Sequence, residues 1–143
     1  MNMSIDTIFG IAGTALNAQL TRMNATASNL ANAGTVSGTE KDAFRAKRPV
    51  FQALVSEQMT HSGAAYVGGV KVAKIADDAA PPQRVADPKN PLADKDGYVY
   101  KSNVSEVTEM VEMMAAARSY QNNVEVINTA RQLMMRTLDI TKA

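Results

Sequence analysis

EMVEMMAAARSYQNNVEVINTARQLMM, residues 109–135, holds five of the chain's nine methionines and a run of three alanines. A simple coiled coil would place Leu and Ile at many of these positions. Apolar residues recur by threes and fours through the stretch and beyond it: Met110, Met113, Ala117, Tyr120, Val124, Ile127, Met134 and Leu138. Arg131 is the one charged residue in register. The rhythm is that of a helix packed lengthwise on another. A second line, Val104, Val107, Val111 and Met114, runs beside the first over the opening turns. A helix apolar on two adjoining faces offers more than one partner helix covers. Asn103, with Glu106 three residues later, reads as a capping pair at its start.

The other end of the chain repeats the pattern. Phe9, Leu16, Met23 and Leu30 fall seven apart, with Ile5 and Ala12 in the companion heptad position and Leu20 and Ala27 widening the stripe. Gln19 and Thr26 are its polar weak points. Ser4 is placed to cap this helix, Asp6 sits favourably in its first turn, and Asn32 and Gly34 supply stop signals. At about 1.5 Å per residue both helices come out near 40 Å. Matched lengths predict an antiparallel pair with the middle of the chain leaving and returning at one end.

That middle is of another kind. It holds all five prolines and most of the glycines, with no sustained heptad. AFRAKRPVFQALV reads equally as a strand breaking at Pro49 or a short helix after it. GGVKVAKIADD alternates Val70 and Val72 against Lys71, which suits a half-buried strand with Gly68-Gly69 at its turn. GYVYKSN reads as a short strand running into the helix cap. The expected fold is mainly α: long N- and C-terminal helices (1–34 and 103–143) paired as an antiparallel coiled coil. A small β-rich or extended element (35–102) lies between them.

Chemistry is sparse. The 143 residues carry a formal charge of +1, so no strong field points to nucleic acid or an anionic membrane. There is no Cys, which excludes disulfides, thiolate metal sites and Cys nucleophiles. His61, the single histidine, stands in a polar stretch and reads as solvated surface. ADKDG mimics a calcium loop around Gly97, but Leu92 and Asn103 would fall where carboxylates are required. Asp87-Pro88 and Asp96-Gly97 read better as turns. Glu109 and Glu112 share a helix face and read as solvated acids near a helix N-terminus. FRAKR has too few basic and aromatic residues for nucleic acid, and suits a salt bridge or subunit contact. No catalytic residue, metal or cofactor is expected. MNMSIDTIFGIAG has no basic leader and an interrupted apolar run, so no cleaved signal is expected. No run approaches the roughly 20 apolar residues of a membrane span.

SNLANAGT, closing the first helix, resembles the signature shared by bacterial flagellar rod and hook proteins. The likeness extends through GVKVAKIADDAAPPQRVADPKNPLADKDGYVYKSNV and the quoted helix, and so covers nearly the whole chain. It implies a structural subunit of the basal-body proximal rod, part of a drive shaft that transmits torque across the periplasm. It further implies partners among copies of the chain, other rod proteins, and ring and distal-rod neighbours. Export by the flagellar type III apparatus, without a cleaved signal, is implied as well. In that setting Phe9, Leu16, Met23 and Leu30, together with Val107, Val111 and Met114 of the second line and the C-terminal stripe, are candidate interface residues. Unbranched Met fills irregular gaps between differently placed neighbours, and Ala115, Ala116 and Ala117 allow close approach. The rival reading is a soluble helical-hairpin binding module, such as an export chaperone or adaptor.

Overall fold

A computed structural model describes residues 5–54 and 68–142. The order is α1 (Ile5–Ala31), β1 (Val36–Ser37), β2 (Lys47–Ala53), β3 (Val70–Asp77), β4 (Gln83–Ala86), β5 (Tyr98–Lys101) and α2 (Glu106–Lys142). Helix takes about half of the described residues and strand a fifth, so the expectation of a mainly helical chain holds only in part. The proposed Ser4 cap and His61 lie outside the described residues.

The end of α1 keeps one of its two expected stop signals, and the start of α2 is capped differently from the sequence expectation. α1 ends where Asn32 turns the chain: its Nδ2 donates to the Ser28 carbonyl at 2.8 Å, and the Thr35 hydroxyl donates to the Asn32 carbonyl at 2.7 Å. Gly34 takes no positive φ, so the Asn32 side chain closes the helix without a left-handed glycine. At α2 the cap is Ser105, whose hydroxyl accepts from the Thr108 amide at 3.4 Å. Asn103 does not cap because its amide is spent elsewhere. Its Oδ1 accepts from the Ala46 amide at 2.8 Å and its Nδ2 donates to the Ala80 carbonyl at 2.7 Å.

The two helices pack together. Asn29 meets Glu109 while Arg22 meets Glu112, so one helix ascends as the other descends. The lengths are not matched: α1 has 27 residues and α2 has 37, about 40 and 55 Å. The contact is lined by small side chains. Ala12, Ala18 and Ala25 of α1 and Ala116 and Ala130 of α2 are buried, along with Thr26 and Asn29. Phe9, Leu16, Met23 and Leu30, expected on the seam, are only half-buried. Alanine lets helix backbones approach closely, and larger side chains are then pushed to the flanks. Thr26, a supposed weak point, is buried; Gln19 keeps its Oε1 buried without a hydrogen-bond partner.

The middle segment forms two small antiparallel sheets, one ordered β1-β5-β4 and one pairing β2 with β3. KRPVFQA is thus a strand, with Pro49 opposite Ile75 and a register shift between Val50 and Phe51. Each strand of a two-stranded sheet is an edge, where a missing proline N–H is tolerated. Val70 and Val72 are half-buried and Lys71 is exposed, as the alternation predicts. This β2–β3 hairpin lies along α1. Its base is gripped at Asn29, and at the far end the Val70 amide donates to the Thr14 hydroxyl at 3.1 Å. Fifteen helical residues span roughly 22 Å and eight strand residues roughly 26 Å, so strand and helix run nearly the same length. Gly69 (φ +135°) makes the close approach: a Cβ there would stand 3.0 Å from Thr14 Oγ1. The Asp94 carboxylate accepts from the amides of Asp96 and Tyr98, both at 2.9 Å, which makes ADKDG a turn around Gly97.

Candidate functional site

Two features stand out: a polar joint where both helices meet the hairpin base, and an uncovered apolar surface on α2. The joint centres on Asn29, which is fully buried. Its Oδ1 accepts from the Lys47 amide at 2.7 Å, and its Nδ2 donates to the Lys47 carbonyl and to Glu109 Oε2, both at 3.0 Å. The side chain thereby does for β2 what a neighbouring strand would do. Glu109 is also fully buried, with Arg48 Nη1 2.7 Å from Oε1. Arg48 Nε reaches Asp78 at 3.4 Å, and Lys47 pairs with Asp77. One turn along α2, Glu112 pairs with Arg22.

Glu109 and Glu112 are therefore not a solvated acidic face. The inward stripe of α2 carries both towards cations on α1 and β2, and a buried carboxylate persists only when paired and hydrogen-bonded. FRAKR does supply salt bridges, through Arg45 to Glu40 as well as Lys47 and Arg48. The Asp78 carboxyl is held below its ordinary value, chiefly by the Ala80 amide at 3.0 Å and secondarily by Arg48 and Arg45, against an opposing effect of burial. Every joint charge has a counter-charge, so the arrangement fixes an angle between elements and activates nothing. Among the described residues no cluster of three or more His, Asp or Glu is placed to hold a metal ion. No helix among them is long and apolar enough to cross a membrane.

The stripe residues separate into three groups. Met113, Ala117, Tyr120, Ile127 and Met134 are half-buried. Val107 (68% exposed), Met110, Val111 (60%) and Met114 (69%) form an uncovered strip over the first turns of α2. Val124, Val126, Leu133, Met135, Leu138 and Ile140 are exposed along its second half. Among the α1 residues whose burial is described, only Leu20 is a large exposed apolar residue, because α2 and the hairpin cover that helix. Sequence reasoning missed the joint. A readable signal was there: Glu109 falls on the same line as Met113, Ala116 and Tyr120, an acid in a core register.

Paired terminal helices with a small β element between them and a large uncovered apolar surface suit a subunit of an assembly. Two family models agree: one described as flagella basal body rod protein matches residues 9–37, and one described as flagellar basal body rod FlgEFG protein C-terminal matches residues 95–140. The class is that of flagellar basal-body rod proteins. Curated relatives narrow it. The flagellar basal-body rod protein FlgC of Escherichia coli O157:H7 is 50% identical over 138 residues, 96% of this chain and 98% of the relative. FlgC of Yersinia enterocolitica is 49% identical over the same shares, and FlgC of Bacillus subtilis 35% over 92% and 95%. The chain belongs to the FlgC family of flagellar basal-body rod proteins. It is a structural rod component and not an enzyme.

Proposed function

We propose that the chain polymerises, with copies of itself and with other rod proteins, into the proximal rod that carries torque across the periplasm. In the assembled rod the helix pair winds as an antiparallel coiled coil within the inner wall of a hollow tube. The middle sheets lie outside it, against ring or distal-rod neighbours. The subunit reaches that position through the flagellar type III export apparatus. One observation carries this reading. Seven of the nine buried apolar residues described are alanines, while most large apolar side chains of α2 are exposed. An isolated chain that hides its smallest apolar groups and exposes its largest is a component awaiting neighbours. Met side chains suit such a surface because they repack against unlike partners.

The test is Val111→Asp. Val111 is exposed, so the variant chain folds with stability within about 0.5 kcal/mol of wild type. It fails to enter the rod, and the cells do not swim. Normal swimming would overturn the assignment of this face to an interface. Met113→Asp serves as the contrast: Met113 is half-buried, so that variant loses stability as well as assembly. A wild-type chain that forms only a stable small dimer, with no rod incorporation, would favour the helical-hairpin binding module instead.

A further inference from the structure

The uncovered apolar surface of α2 is divided. The proximal strip ends at Met114, and no large apolar residue is exposed again until Val124. Arg118, Gln121 and Asn122 are exposed in the interval. The two patches differ in charge. Glu106, exposed, lies one turn before Met110 on the same helix face. On the distal patch an open hollow of about 370 Å³ is lined by Asn128, Arg131, Gln132, Met135 and Arg136. Neither arginine makes an ion pair among the described residues, and Arg131 stands one turn before Met135. The hollow therefore joins a methionine surface to two unspent guanidinium groups.

We propose, building on the rod assignment, that this hollow receives the proximal strip of a second copy. Met110 enters against Met135, and Glu106 comes to lie beside Arg131 and Arg136. With helices parallel, strip against strip would bring Glu106 towards its own equivalent, and hollow against hollow would oppose four arginines. Both self-pairings are disfavoured, while the unlike pairing joins opposite charges and two apolar surfaces. The patches stand at opposite ends of one helix, about 38 Å apart between positions 110 and 135. One copy thus cannot satisfy its own hollow; antiparallel helices would close two copies into a dimer, and on the rod assignment the helices run parallel, which makes the contact head to tail. A heterologous contact of this kind propagates from copy to copy.

The chain has no cysteine, so it offers a clean background for cross-linking. The experiment treats isolated basal bodies containing Met110→Cys/Met135→Cys chains with a short bismaleimide. The expected result is a ladder of covalently joined copies, with no product from either single variant alone. A dimer from a single variant, a closed dimer as the sole product of the double variant, links only to other rod proteins, or no link at all in rods that contain the chain would each overturn the head-to-tail pairing. Absence of the chain from basal bodies would overturn the rod assignment, and this inference with it. A second arm tests charge. Glu106→Arg lowers ladder yield at least several-fold, and adding Arg131→Glu and Arg136→Glu to the same chain restores it. Failure of that restoration, with the chain still present in rods, would again overturn the pairing.

Discussion

Asn29 serves three elements with one amide. Replacing it with Ala leaves the Lys47 N–H and C=O and one Glu109 oxygen without their partner in a buried place. Each such orphan costs about 1–3 kcal/mol, and partial hydration relieves some of it, so Asn29→Ala is expected to lose about 2–4 kcal/mol in urea denaturation. Asn29→Asp loses more, because it removes the donor and sets a second carboxylate against Glu109. Glu109→Gln loses less, since it keeps an acceptor and releases only the half-exposed Arg48. That ranking is the prediction, and equal losses would mean that the joint is not a unit. At Asp78 the folded carboxyl titrates below the ordinary value of 3.8. Its stabilisation is whole above that pH and is lost as pH falls below it towards the folded value. Asp78→Asn should therefore flatten the acid limb of a stability-against-pH curve and leave its neutral region nearly parallel to wild type.

The hairpin and helices fit because each is seated at two points. Gly69→Ala introduces a Cβ 3.0 Å from Thr14 Oγ1 on a backbone with φ +135°, where L side chains are strained. The expected loss is about 1–3 kcal/mol, with faster hydrogen exchange at Val70 and unchanged protection at the Asn29 end. Uniform loosening along the hairpin would show that the tip is not a separate anchor. Much of this architecture was legible in the sequence: two terminal helices, the Val70–Val72 strand, the strand before the second helix, and the turn around Gly97. The heptad of large residues misplaced the seam, because apolar periodicity marks a face without saying which of its members the backbones approach. Alanine is the residue that permits close approach, and periodicity counts it least. The hairpin was illegible for a similar reason. Its grip on α1 runs through one amide and one hydroxyl, and Asn29 and Thr14 look like ordinary helix polar residues until β2 and β3 are laid beside them. Asn103 looked like a cap because it precedes Glu106 by three, yet it was already committed to Ala46 and Ala80.

The described helix pair is elongated, with α2 alone running about 55 Å. Alanine burial stabilises less per residue than Leu or Met burial, so the free subunit leans on the polar joint for its shape. In a monomer, amide exchange should be slowest from Glu109 to Ala130 and faster in the final turns of α2, and rod incorporation should slow those turns by at least an order of magnitude. Equal protection along α2 in the free chain would remove the reason for it to seek neighbours. The unequal helices carry one more implication. From the Asn29–Glu109 and Arg22–Glu112 ties, about ten residues of α2 run past the level of Ile5. A copy added in line with that overhang presents the same overhang again at its own far side. Under the proposed polymerisation, growth by this route never meets a blunt face, and a neighbour of different shape is what would end the series.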